Sequence, residues 1–164
     1  MILGMTTQTF TLLHVVISLA GIVSGLIVMF GFLTGKRLDG LNAIFLATTV
    51  LTSVSGFGFP FDRLLPSHIV GIISLVALAV VIPARYVLGL SGAWLRIYVI
   101  GAAVALYLNV FVLVVQLFEK VPALKALAPT QKEPPFLIAQ VAVMVIFIGL
   151  TFVAAKRSHA TAAA

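Results

Sequence analysis

The sequence predicts an all-α fold, a polytopic membrane helix bundle with five transmembrane helices, and three observations carry that expectation. The 164-residue chain is 62% hydrophobic and only 9% charged, whereas a soluble domain is about half apolar and about a quarter charged. Its mean hydropathy of +1.27 excludes an ordinary water-soluble globule, a disordered chain and a nucleic-acid-binding domain. Finally, runs such as Leu75-Val76-Ala77-Leu78-Ala79-Val80-Val81-Ile82 do not alternate polar and apolar residues as barrel strands do. Hydrocarbon cannot hydrogen-bond a free backbone group, so the spans must be helices.

A spanning helix needs about 20 mostly apolar residues to cross a hydrocarbon core about 30 Å thick. Five stretches qualify. The first covers about residues 10–33 and ends at the polar run Thr34-Gly35-Lys36-Arg37-Leu38-Asp39-Gly40. The second, about 41–59, is closed by Pro60, Asp62 and Arg63. The third, about 68–87, has Pro83 and Arg85 in its last turns, and the fourth covers about 94–118. Between the fourth and the fifth, at about 136–155, lie Pro122, Pro129, Pro134 and Pro135, which exclude a long regular helix. Val121, Leu124, Leu127 and Ala128 fall at helical spacing there and fit a short interfacial helix. Residues 1–158 thus read as a single transmembrane domain, and 159–164 as a disordered tail. Met1 to Phe10 contains no Lys or Arg and the following apolar run is long, so the first span is expected to be a retained helix and not a signal peptide.

Five spans put the termini on opposite sides. One membrane face then receives Lys36, Arg37, Arg85, Arg96, Lys156 and Arg157. The other receives Arg63, Lys120, Lys125 and Lys132 mixed with Asp62, Glu119 and Glu133. Basic residues concentrate in cytoplasmic loops, so the N-terminus is expected outside and the C-terminus in the cytoplasm. The net charge of +6 is spread over these loops and forms no nucleic-acid patch. Cysteine is absent, which excludes disulfides, thiolate metal sites and cysteine nucleophiles.

Small residues mark the packing. Gly21 and Gly25 form a Gly-x-x-x-Gly pair that brings helix backbones close, either inside the bundle or as the face of a homodimer or a partner membrane subunit. Thr48, Thr49, Thr52, Ser53 and Ser55 read as hydroxyls bonded within or between helices. Trp94, Tyr98 and Tyr86 read as interfacial anchors.

Placing the remaining polar residues by depth gives the candidate site. His14, His68, Gln116 and Gln140 lie on four different spans at a similar distance from the outer face, and Asn109 lies two turns below Gln116 on the same helix face. Polar side chains in a bilayer are costly and face a bundle interior or a cavity. The layer is therefore either cross-linking between helices or a ligand site. As a site, His14 and His68 could supply axial nitrogens to a haem iron or hold another metal. Alternatively, His with Gln or Asn could hydrogen-bond a quinone whose ring lies among Phe57, Phe59, Phe61 and Tyr107. No carboxylate lies within a span, and no hydrolase or phosphate-loop motif is present, so hydrolysis and ion pumping have little support.

Three segments carry a resemblance. They are Leu13-His14-Val15-Val16 with Gly21, Gly25, Gly31 and Gly35-Lys36-Arg37-Leu38; Phe59-Pro60-Phe61-Asp62-Arg63-Leu64-Leu65-Pro66-Ser67-His68-Ile69-Val70-Gly71; and Ala105 through Gln116. Over about residues 10–155 the chain resembles small multi-pass inner-membrane proteins common in rhizobia and related bacteria. That resemblance implies a compartment and a fold and no particular activity. More remotely, the two histidines are similar to those of four-helix membrane cytochromes of the haem-b type. The chain departs from that pattern in lacking paired histidines at two depths, which leaves at most one haem, near the outer face. The expected function is thus a small redox-associated inner-membrane protein with one haem b or quinone site in the outer leaflet. Its alternatives are a non-enzymatic accessory or assembly subunit and, third, a small-solute channel or carrier.

Overall fold

The structure, a computed structural model, describes residues 2–60 and 66–162. Asp62, Arg63 and the ring expected from Phe61 lie outside the described residues. The described chain forms six helices: α1 (Thr7–Thr34), α2 (Asp39–Gly56), α3 (Pro66–Tyr86), α4 (Ala93–Lys120), α5 (Pro122–Leu127) and α6 (Pro134–Ala162). Each expected span corresponds to a helix, and α5 is the short helix expected after the fourth span. Helix α6 runs on to Ala162, past the start of the expected tail, because the alanine-rich end has high helix propensity.

Local chemistry sets the boundaries. The Thr6 hydroxyl accepts from the Thr9 N–H at 3.1 Å and caps α1. Gly35 ends that helix at φ +70°, a conformation in which glycine meets no side-chain penalty. Prolines stand in the first turns of α3, α5 and α6, where a missing N–H leaves no helical bond unmade.

Four helices, α1, α3, α4 and the stretch Pro134–Ser158 of α6, are long and apolar enough to cross a membrane. The protein is thus a multi-pass membrane protein, with exposed Leu12, Ile72, Val76, Ile138 and Ile148 as its lipid-facing surface. Helix α2 is not among the four: it has 18 residues and carries Asp39, Asn42 and a series of hydroxyls.

Consecutive helices α1 to α4 pack side by side, α4 returns to touch α1, and α6 lies against α4 and α1. The main core gathers at one end, where Val28, Phe45, Leu78, Val81, Leu106 and Phe147 are buried. That end holds the α1–α2 and α3–α4 connections and is called the arginine end. The opposite end, with His14 and His68, is the histidine end.

Gly21 and Gly25 are buried inside this bundle. A Cβ at Gly25 would come within 2.6 Å of Leu106 and 2.8 Å of Phe45, and one at Gly21 within 3.0 Å of the Thr48 hydroxyl. The pair brings α1 close to α2 and α4 of its own chain, so a second subunit could use this face only by displacing them.

Polar residues of α2 are directed at its neighbours. Asp39 pairs with Arg85, Asn42 accepts from Tyr98, Thr49 accepts from Asn109, Ser53 donates to Ser74 and Ser55 bonds His14. The least apolar of the long helices is therefore bound by side-chain hydrogen bonds to α1, α3 and α4, which removes its polar groups from lipid. Tyr98 differs from its expected anchoring role. It is 1% exposed and sits in the core, because its hydroxyl finds Asn42 there and needs no interfacial water.

Candidate functional site

His14 is placed two turns into α1, half-buried against the end of α2. Ser55 Oγ lies 2.7 Å from His14 Nδ1 and 3.2 Å from the Thr52 carbonyl, so its single proton can serve either one, and the imidazole tautomer follows that choice. In both cases His14 Nε2 makes no hydrogen bond among the described residues. The Phe59 ring stands edge-on to the imidazole at 5.3 Å, and Phe10 packs edge-on against Phe59 at 5.0 Å. Phe10 also closes over Gly58, where a Cβ would approach its ring to 2.8 Å. Exposed Leu12, Leu13, Val15 and Val16 flank the histidine, so the site opens toward lipid.

His68 is buried at the start of α3, tilted against the Phe57 ring at 5.4 Å. Ser55 and Phe57 are two residues apart at the end of α2 and project to different sides. The two histidines therefore meet different sides of that turn, on helices α1 and α3 that both pack on α2.

The remaining polar residues of the expected layer form separate pairs. Asn109 donates to the Thr49 hydroxyl at 3.3 Å. Gln140 is 8% exposed and donates to the Phe111 carbonyl at 3.2 Å, while its Oε1 has no partner among the described residues. Gln116 is exposed near the end of α4 and reaches Glu119 at 3.5 Å. Tyr107 stacks toward Phe111 and Phe147, on the α6 side of α4. Thus His14 and Phe59 are brought together, as are His68 and Phe57, whereas Gln116 and Tyr107 stand apart from both. Among the described residues no three His, Asp or Glu side chains cluster as metal ligands.

No family model, curated protein or solved structure matches the chain.

Outside the spans, the connection before α6 is ordered by Glu133. Its carboxylate accepts from the Thr130 hydroxyl at 2.8 Å and from the N–H groups of Thr130 and Lys132. The Thr130 hydroxyl, followed by these backbone donors, holds the Glu133 carboxyl below its ordinary pKa.

A second polar cluster, at the arginine end, is not evident from the sequence alone. Arg85 pairs with Asp39 and lies over the Tyr98 and Tyr86 rings, with 5.4 Å and 5.6 Å from guanidinium carbon to ring centroid. Tyr98 in turn donates to Asn42, whose Nδ2 donates to the Leu38 carbonyl at 3.0 Å. The one sequence signal was Asn42 itself, an amide at the start of an apolar run.

Proposed function

We propose that this is a small redox-associated protein of a bacterial inner membrane that binds a lipid-soluble quinone, in its hydroquinone form, through His14 near the outer leaflet. The observation that carries the reading is the hydrogen bond that holds His14 Nδ1 on Ser55 at 2.7 Å and leaves Nε2 unpaired among the described residues. In the tautomer this reading takes, Nδ1–H donates to Ser55 and Nε2 offers a lone pair to a hydroxyl donor. Phe10 and Phe59 supply an aromatic wall, and the surrounding α1 surface faces lipid, where such a ligand is dissolved.

This geometry favours a quinone over haem. A bis-histidine haem needs two imidazoles facing one iron, and His14 and His68 meet different sides of the last turn of α2. His68, Asn109 and Gln140 then act as polar support within the bundle, and Gln116 lies at its rim. Five spans with the N-terminus outside complete the reading. Helix α2 rises about 27 Å over its length, close to the hydrocarbon thickness, and its polar groups are paired inside the bundle. The positive charges at the arginine end support a cytoplasmic side for it.

The test is binding of a short-chain ubiquinol to the protein in mild detergent, by equilibrium dialysis, with a visible spectrum recorded before and after dithionite. His14→Ala should abolish binding, and Ser55→Ala should weaken it by about tenfold through loss of one hydrogen bond to the imidazole. A Soret band that disappears in His14→Ala or His68→Ala would replace the quinone by haem. Equal binding by wild type and His14→Ala would refute the site.

A further inference from the structure

A cavity of about 520 Å³ lies at the arginine end between the start of α2 and the end of α3. Arg37, Asp39, Gly40, Arg85, Tyr86 and Leu90 are among its lining residues. It is open beside its glycines: a Cβ built at Gly40 or at Gly89 meets no atom within 4 Å. Two guanidiniums face a single carboxylate, so the lining is cationic.

Neither guanidinium is fully used. Arg37 makes no hydrogen bond or ion pair among the described residues. The Arg85 side chain is only 10% exposed, and although Nη2 is bound to Asp39, its Nε has no acceptor among the described residues. An arginine has five N–H donors, so both side chains keep donors beyond those used within the chain. No side chain caps the first N–H groups of α2, which begin beside Arg37. Next to the cavity, Tyr86, Val87 and Leu88 are exposed at the end of an apolar helix. This combination of paired cations, open backbone donors and adjacent apolar surface matches a lipid headgroup with its chains, not a soluble anion.

We infer that the cavity seats the phosphate of an anionic phospholipid, held by Arg37 and Arg85, with its acyl chains against Val87 and Leu88. Asp39 keeps the Arg85 guanidinium in place and stands at the exposed rim. Basic pockets between membrane helices recognise anionic headgroups in this way.

The test uses native mass spectrometry of the full chain from micelles containing equal phosphatidylglycerol and phosphatidylcholine. Wild type should retain phosphatidylglycerol preferentially. Arg37→Gln should reduce that retention about fivefold, the scale of one basic residue against anionic lipid. Gly40→Leu should reduce it similarly by filling the cavity from a helical position with open space around it, and circular dichroism checks that both variants remain folded. Equal retention of the two lipids, or unchanged retention in both variants, would overturn the inference. So would displacement by millimolar inorganic phosphate, which would identify a site for free phosphate instead.

Discussion

Tyr98 and Asn42, 56 residues apart in the chain, are hydrogen bonded to each other inside the bundle, the tyrosine hydroxyl donating to the amide oxygen. The pair is fully enclosed. Arg85 covers one side of the Tyr98 ring and Phe32 meets it edge-on at 5.8 Å. Removing the hydroxyl leaves Asn42 Oδ1 buried without a donor. Tyr98→Phe should therefore destabilise the protein by about 0.5–2 kcal/mol, the range for interhelical hydrogen bonds in membranes. The loss should shrink when Asn42 is already alanine, because the orphaned acceptor is then gone. Reversible unfolding in mixed micelles with increasing dodecyl sulfate measures both; equal losses in the two backgrounds would show that the bond contributes nothing.

Helices α3 and α4 are in close contact where Gly101 meets Val81. A Cβ at position 101 would lie 2.4 Å from Val81 Cγ2, and the β-branched valine has little freedom to turn away. Gly101→Ala should cost about 1–3 kcal/mol through overpacking. The double variant Gly101→Ala with Val81→Ala should recover much of that loss, since the clashing methyl is removed. The same unfolding titration decides the matter, and failure of the second substitution to compensate would place the strain elsewhere.

The helices were legible in the sequence because their information is local. Apolar runs of sufficient length, prolines at the starts of α3, α5 and α6, and glycine at position 35 each act within a few residues. Partners were not legible. His14 and Ser55 are 41 residues apart, and Arg85 and Asp39 are 46 apart, so only the packing of α2 against α1 and α3 brings them together. Depth along a span could be read for His14, His68, Asn109, Gln116 and Gln140, whereas the direction of each side chain around its helix could not. That is why one polar layer in the sequence becomes several separate pairs in the fold. Tyr98 shows the same limit: an aromatic near the end of a span fits an interface or a core equally well until its neighbours are known.

Acid should loosen the connection before α6. The Thr130 hydroxyl and the N–H groups of Thr130 and Lys132 stabilise the ionised form of Glu133 and depress its pKa below the ordinary 4.5. A depressed carboxylate contributes its ordering fully above the unfolded value and loses it as pH falls through the lower folded value. Amide exchange at Thr130 and Lys132 should accordingly show constant protection at neutral pH and a loss only below 4.5. Glu133→Gln should be unprotected at neutral pH and show no such transition. A profile unchanged by the substitution would assign the protection to other groups.

The passage of α2 through the bilayer can be tested directly, because the chain contains no cysteine and single cysteines can be introduced without background. If α2 crosses, positions 35 and 58, which flank it, lie on opposite sides of the membrane. In oriented membrane vesicles, a membrane-impermeant maleimide should then label Gly58→Cys and Gly35→Cys from opposite faces. Gly35 is the safer of the two sites in one respect, as a Cβ there meets no atom within 4 Å, although its φ of +70° strains any other residue. Gly58 lies under the Phe10 ring, so Ser91→Cys, an exposed position between α3 and α4, gives a control that should behave like position 35. Labelling of positions 35 and 58 from the same side would make α2 a helix that packs in the bundle without crossing.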